Sequence, residues 1–251
     1  MSKIITARSL VKDLDQLLDP MRMADFGPNG LHIANEGPLT KIATAVTSSL
    51  EAIEKAAQLG AQALIVHHAF KDAYPISDQL LYKKIHTFVY NNIALIRYHL
   101  PLDAHQELGN NWKAARDMGW QDLKPFGEYN GSVIGVRGTF APVSIEAFAA
   151  SLEKYYSNKA MLAPAKKEIS SAALISGGAY KYVVQAAAAG VDCYVTGTCD
   201  ELAWDVAYEA GISFCALGHA ATEKVGPRAL AEYIQKTYRI ETVFIDTPNP
   251  F

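Results

Sequence analysis

Cysteine is scarce in this sequence. Cys193, Cys199 and Cys215 are an odd three with no CxxC spacing. That pattern argues against a disulfide framework and against a zinc ribbon, and it fits a reducing compartment. Long apolar runs are missing as well: no stretch approaches the roughly 20 apolar residues of a membrane span. The first ten residues hold no sustained apolar core, so a cytoplasmic protein with no membrane partner is expected. Blocks of lysine and arginine are absent too. The 23 basic residues are set against 26 acidic ones, for a formal net charge of -3, and nothing suggests a binder of the nucleic-acid backbone. What remains is a 251-residue chain, half of it hydrophobic, enough for one large or two small α/β domains.

Hydrophobic periodicity orders the elements. Residues 7–18 place Leu10, Val11, Leu14, Leu17 and Leu18 at helical spacing, and Pro20 ends the run. Asp25-Phe-Gly-Pro-Asn-Gly30 is dense in turn formers, with Leu31-His32-Ile33 extended after it. Residues 41–47 form a strand. Ser48 or Ser49 caps a helix over 50–59, which Gly60 stops. A second strand, Ala63-Leu-Ile-Val-His-His68, follows. After a loop holding Pro75 come a helix over 78–91 and a strand over 93–98. Pro101 is expected to keep residues 99–105 extended. Helices are expected over 111–118, 144–156, 179–189, 201–210 and 224–238. Strands are expected over 132–140, 171–176, 193–196, 212–217 and 242–246, with a break at 125–131.

Two stretches look like copies of one βαβ unit, residues 44–66 and 173–195. Each reads strand, helix, small residues, Gly, strand, and each implies a parallel pair. They differ at the end. The first closes on Val66-His67-His68; the second closes on Val195-Thr-Gly-Thr198, with no strong metal ligand, so one metal centre per chain is expected.

Three clusters lie just past predicted strands, where open α/β sheets bind ligands. They are His67-His68; His99 with Asp103 and His105; and Leu217-Gly-His219-Ala-Ala-Thr-Glu223. Each has a plainer reading. The first pair also fits one backbone-bonded buried histidine and one exposed one. Glu223 also fits an acidic residue at the positive end of a helix beginning near Thr222. Taken together, His67, His68, Asp103, His219 and Glu223 offer three imidazoles and two carboxylates. This set suits zinc, manganese, iron or nickel and is too rich in nitrogen for calcium or magnesium. Five ligands suit two ions about 3.5–4 Å apart, with Glu223 as the natural bridge. His99 is a candidate for ligand orientation or proton transfer, and with Glu223 forms the expected catalytic pair. His105 reads as a surface residue and Cys199 as a semi-buried thiol.

The motifs Pro28-Asn-Gly-Leu31, Gly60-Ala-Gln-Ala-Leu-Ile-Val-His-His68, His99-Leu-Pro-Leu-Asp-Ala-His-Gln-Glu-Leu-Gly-Asn-Asn111, Gly218-His-Ala-Ala-Thr-Glu223 and Phe244-Ile-Asp-Thr-Pro-Asn-Pro250 occur in this order along nearly the whole chain. In this the sequence resembles the Nif-three-like dinuclear metal-centre family, whose members are often called GTP cyclohydrolase 1 type 2 homologues. The resemblance implies two interlocked, duplicated α/β units with mainly parallel or mixed sheets flanked by helices. It implies a dimetal site on His67, His68, Asp103, His219 and Glu223, with two divalent transition-metal ions per chain, and a toroidal homohexamer. On this reading residues 1–126 plus 215–251 carry the metal site and 127–214 form the second unit. The chain departs from the family pattern at His32, where Gln is usual, and at Thr198, where Glu is usual. It also lacks a histidine often found in the helix that here reads Leu202-Ala-Trp204. These departures bear on substrate choice. The expected activity is metal-dependent hydrolysis of a nucleotide-like or heterocyclic small molecule. The alternative is a protein that holds metal or a metal cofactor, or acts as a partner scaffold, without turnover.

Overall fold

The structure, a computed structural model, describes residues 4–70 and 76–251. The loop around Pro75 lies outside the described residues. In chain order the elements begin α1 (Ala7–Leu18), β1 (Gly30–Ile33), β2 (Lys41–Thr47), α2 (Leu50–Gln58), β3 (Ala63–His68), α3 (Asp78–Tyr90), β4 (Ala94–Arg97) and α4 (Leu100–Ala104). They continue α5 (Asn110–Asp117), β5 (Gln121–Tyr129), β6 (Ser132–Ser144), α6 (Ile145–Tyr156), β7 (Met161–Ala163), β8 (Glu168–Leu174), α7 (Val183–Ala188), β9 (Cys193–Thr196) and α8 (Glu201–Ala210). The last are β10 (Ser213–Ala216), α9 (His219–Thr222), α10 (Val225–Tyr238) and β11 (Glu241–Phe244). The protein is thus a mixed α/β chain with two sheets flanked by helices, as the sequence pattern predicts.

Two compact units are present: Met1–Leu102 with Gly226–Pro248, and Asp103–Val225 with Asn249–Phe251. The divisions predicted from sequence, at 126/127 and 214/215, lie further along the chain at the first boundary and earlier at the second. Helix α5 and strand β5 go with the second unit because Trp112, Ala114, Ala115 and Trp120 pack into its core beside Val136, Phe148 and Leu152.

The first unit is built on a sheet ordered β1-β4-β3-β2-β11. Strands β2, β3 and β4 are parallel, and β1 closes the edge antiparallel. The central strands are apolar on both faces, which is what burial under helices on each side demands. Ile53, Leu64, Val66, Phe88 and Leu95 form part of its core. Helix α2 starts where Ser49 Oγ accepts the Ala52 amide at 3.1 Å and stops at Gly60, whose φ of +69° a residue with a Cβ adopts only with strain.

The second unit has the sheet order β5-β6-β8-β9-β10-β7. Its β8–β9 pair is parallel, as is β2–β3 in the first unit, so each predicted βαβ stretch forms the parallel pair expected of it. Ser144 Oγ accepts the Ala147 amide and fixes the start of α6.

Proline misleads the sequence reading twice. Residues 99–105 are not extended throughout, because α4 spans Leu100–Ala104 with Pro101 in its first turn. The first helical turn has no hydrogen-bond partner for its N–H groups, so proline loses nothing there. Of residues 125–131 only Asn130 and Gly131 break the pattern, as the turn between β5 and β6, since Pro125 sits inside β5, paired with Val136. That strand is the outermost of its sheet, where a missing N–H is tolerated. Two smaller corrections follow. The predicted helix over 179–189 opens as a 3-10 turn, Tyr180–Tyr182, before α7. A helical turn already starts at His219, ahead of Thr222. The short strand β7, antiparallel to β10, has no expectation to match it.

Candidate metal centre

In the first unit the parallel register brings the histidines together. Val66 lies opposite Arg97, so the last residues of β3 run beside Tyr98 and His99. The ring centroids of His67 and His68 are 4.7 Å apart, those of His67 and His99 4.7 Å, and those of His68 and His99 5.3 Å. One ring nitrogen from each of the three lies within 4.8 Å of the others. His67 is fully buried and His99 is 8% exposed.

The protein also orients these rings. His67 Nδ1 meets the Tyr98 carbonyl oxygen at 3.1 Å. A carbonyl only accepts, so Nδ1 carries the proton and the lone pair of the neutral ring is on Nε2. His68 Nδ1 lies 3.4 Å from Thr47 Oγ1. His99 Nδ1 is 2.7 Å from Asp25 Oδ1. Imidazole held through one nitrogen while the other faces a cluster is how proteins prepare histidine for a metal.

Asp25 is the residue that sequence reasoning passes over, since its stretch reads only as a turn. Its side chain is buried, as is that of Arg97, whose Nη2 lies 3.4 Å from Asp25 Oδ1. The carboxylate also accepts the Phe26 amide at 2.7 Å, the Asn29 side-chain amide at 3.0 Å and the Leu100 amide at 3.2 Å. Burial alone would push its pKa up. The hydrogen bond and charge of His99, the Arg97 guanidinium and the Asn29 amide outweigh that and hold it well below the usual carboxylate range.

The second unit carries the carboxylates. Glu223, 3% exposed, follows α9, and its Oε1 lies 3.2 Å from His219 Nε2. Thr222 fixes this turn: its hydroxyl donates to backbone carbonyls of Gly218 and His219 and accepts the Gly177 amide at 3.0 Å. A Cβ on Gly177 would collide with Glu223 Oε1, and one on Gly197 would come within 2.8 Å of the His219 Cα. The Thr196-Gly197-Thr198 stretch therefore makes room for the turn that carries His219 and Glu223. Asp103 is buried on α4, and its Oδ1 accepts Asn110 Nδ2 at 2.8 Å and Ser176 Oγ at 3.0 Å. His and Glu side chains placed in this way and held by further hydrogen bonds could hold a metal ion.

Residues 5–250 match the model of the family described as Duf34/NIF3 (NGG1p interacting factor 3). The chain belongs to the Duf34/NIF3 family. It is 47% identical over 250 residues to a protein of Chlamydia pneumoniae named GTP cyclohydrolase 1 type 2 homolog, covering 96% of this chain and 98% of that one. A protein of the same name from Pseudomonas aeruginosa is 37% identical over 249 residues, covering 98% and 99%. The crystal structure of TTHA1606 from Thermus thermophilus superposes with a TM-score of 0.90 at 25% identity, over 98% of this chain and all of that one. Family membership agrees with the resemblance read from the motifs.

Other candidates find plainer places in this family member. His105 Nδ1 accepts the Glu107 and Leu108 amides at 3.2 and 3.0 Å, a local turn and not a ligand geometry. Burial pushes the Cys199 thiol pKa up, the opposite of what a nucleophilic cysteine needs. Among the described residues no helix is long and apolar enough to cross a membrane.

Proposed function

We propose that this protein is a metal-dependent hydrolase acting on a nucleotide-like or heterocyclic small molecule. Its metal ligands in this reading are His67, His68, Asp103, His219 and Glu223, and they hold two divalent transition-metal ions per chain. The carrying observation is the cluster His67, His68 and His99, with ring nitrogens inside 4.8 Å of one another. His67 and His68, at the end of β3, bring two neutral ring nitrogens to one cluster where a cation can share them, and His99, beyond β4, stands beside the pair as the ring that handles a proton. The name shared by the Chlamydia and Pseudomonas relatives supports the substrate class.

Bound metal supplies Lewis acidity and hydroxide near neutral pH. The chain's own residues do the rest. Glu223 would be the carboxylate that helps hold the metal, and His99 holds or moves a proton. For a purine the point of attack is C8, opening the imidazole ring. The family resemblance supports a toroidal homohexamer as the working assembly.

The test is metal analysis of protein purified without added metal, followed by turnover of GTP, phosphoesters and cyclic amides by wild type and Glu223→Gln. Two ions per chain and turnover lost in the variant are expected. Full metal content with no substrate turned over refutes the hydrolase and leaves a metal-holding or scaffold protein.

A further inference from the structure

The Arg97–Asp25–His99 array has no part in the ligand set above, and its hydrogen bonds leave little choice of protonation. Both oxygens of Asp25 face donors. Oδ1 takes the Phe26 amide, Arg97 Nη2 and His99 Nδ1. Oδ2 takes the Asn29 amide group, Arg97 Nη1 and the Leu100 amide. A carboxyl proton would have to displace one of them, so Asp25 is an anion and His99 Nδ1 is the donor. The neutral ring must then carry its lone pair on Nε2. Nδ1 is committed to Asp25, which makes Nε2 the nitrogen that joins the cluster with His67 and His68.

The array is rigid. Arg97 is fully buried and also donates to the Gly27 and Pro28 carbonyls at 3.0 and 3.1 Å. The His99 amide donates to Asn29 Oδ1 at 2.9 Å. The turn 25–30 is thereby fastened to the end of β4 on both sides of the imidazole. Anion, oriented imidazole and cluster form the order in which a carboxylate makes histidine a directed base.

We propose that Asp25 is the positioning residue of the site. It holds His99 as the Nδ1–H tautomer, so that Nε2 accepts the proton when water is deprotonated for attack. The O–H bond of water breaks, an N–H bond forms on Nε2, and the imidazolium charge is met by Asp25. The oxygen left by water bonds to the attacked atom of the substrate, the bond from that atom to the leaving group breaks, and the leaving group takes the proton from Nε2. This rests on the hydrolase reading for its chemistry, but the tautomer it requires does not.

The experiment is two-bond 1H–15N correlation of the histidine rings in the full-length, zinc-loaded protein, with His99→Gln assigning the His99 signals. Wild type is expected to show His99 with protonated Nδ1 and lone-pair Nε2. Asp25→Asn, whose amide can donate to Nδ1, is expected to convert or mix the tautomer while zinc content stays at the wild-type level. Asp25→Glu is expected to restore the wild-type pattern in part. Where a substrate is turned over, Asp25→Asn lowers kcat about 10²–10⁴-fold with KM little changed. A wild-type ring with its proton on Nε2, or a tautomer unchanged in Asp25→Asn, overturns the proposal. The wild-type spectrum alone decides should Asp25→Asn fail to fold. An expected spectrum with no turnover of any substrate overturns the hydrolase and leaves the dyad standing.

Discussion

Replacing Gly177 by Ala separates backbone strain from damage to the site, because a control exists in the same unit. Gly177 and Gly190 have nearly the same φ, +68° and +71°. Ala in the left-handed region costs about 1–2 kcal/mol at either position. At Gly190 a Cβ meets nothing within 4 Å, whereas at Gly177 it runs into Glu223 Oε1 and comes 3.2 Å from His219 Nε2. Pushing Glu223 off its rotamer adds about 0.5–1.5 kcal/mol. Gly190→Ala should therefore lower Tm by roughly 2–8 °C and Gly177→Ala by roughly 3–14 °C, at 2–4 °C per kcal/mol for a chain of this size. The two ranges overlap, so metal binding is the deciding measurement. On the proposed ligand set, disturbing the seat of a metal ligand costs about 10–100-fold in metal affinity, so Gly177→Ala should lose affinity by that factor while Gly190→Ala keeps it. Differential scanning calorimetry and competition titration with a chromophoric chelator read the two effects. Equal Tm losses with unchanged metal affinity in both variants would refute the claim that Gly177 exists to admit Glu223.

Three further outcomes follow from particular contacts. Arg97→Met removes the permanently charged partner of the buried Asp25 carboxylate and should destabilise by about 3–5 kcal/mol. Adding Asp25→Asn to it should recover part of that loss in urea unfolding, and strictly additive losses would show that the two side chains are not energetically coupled. Asp192 is held at a pKa of about 2: burial pushes it up, but the Lys166 ammonium, the Ser170 amide and the Ser171 hydroxyl outweigh that. A depressed carboxylate contributes fully above its ordinary pKa of about 3.9 and loses its contribution as pH falls through about 2. Lys166 is 42% exposed, so after screening Asp192→Asn should cost about 1 kcal/mol at pH 6 and almost nothing below pH 2; a pH-independent difference in stability would contradict this. Removing bound metal with a chelator should lower Tm by roughly 10 °C if metal stands at about a thousand times its dissociation constant, a contribution of about 4 kcal/mol. A Tm indifferent to both chelator and added zinc would count against a native metal site.

Much of this architecture is legible in the sequence because its determinants are local. The run Ala63–His68 is apolar for four residues and then polar for two, and a buried parallel strand that emerges at its carboxyl end has that composition. Ser144 followed by the periodic Ile145, Phe148, Ala149 and Leu152 announces α6, and the caps and buried face of that helix agree with it. Proline marks where local reading fails. Pro101 and Pro125 each lack a donor, and whether that matters depends on the position within a turn or sheet, which the neighbours in sequence do not reveal. The strand β7 is three residues long, and its pairing with β10 is purely tertiary.

The candidate site divides along the same line. His67 and His68 announce themselves because they end a strand, and Glu223 because it follows one with a histidine four residues before it. Asp25 announces nothing. It lies 74 positions from His99, in a stretch whose glycine, proline and asparagine suffice to explain a turn. Its importance arises only when β4 delivers Arg97 from the sheet interior. A fully buried guanidinium needs an anion and several carbonyls, and the turn 25–30 supplies them. Read in reverse, this gives a rule for related chains: a buried basic residue that closes an apolar strand, two places before a histidine, demands a buried carboxylate. The turn preceding an antiparallel edge strand is where that carboxylate is to be sought, because it passes the same end of the sheet as the histidine it must meet.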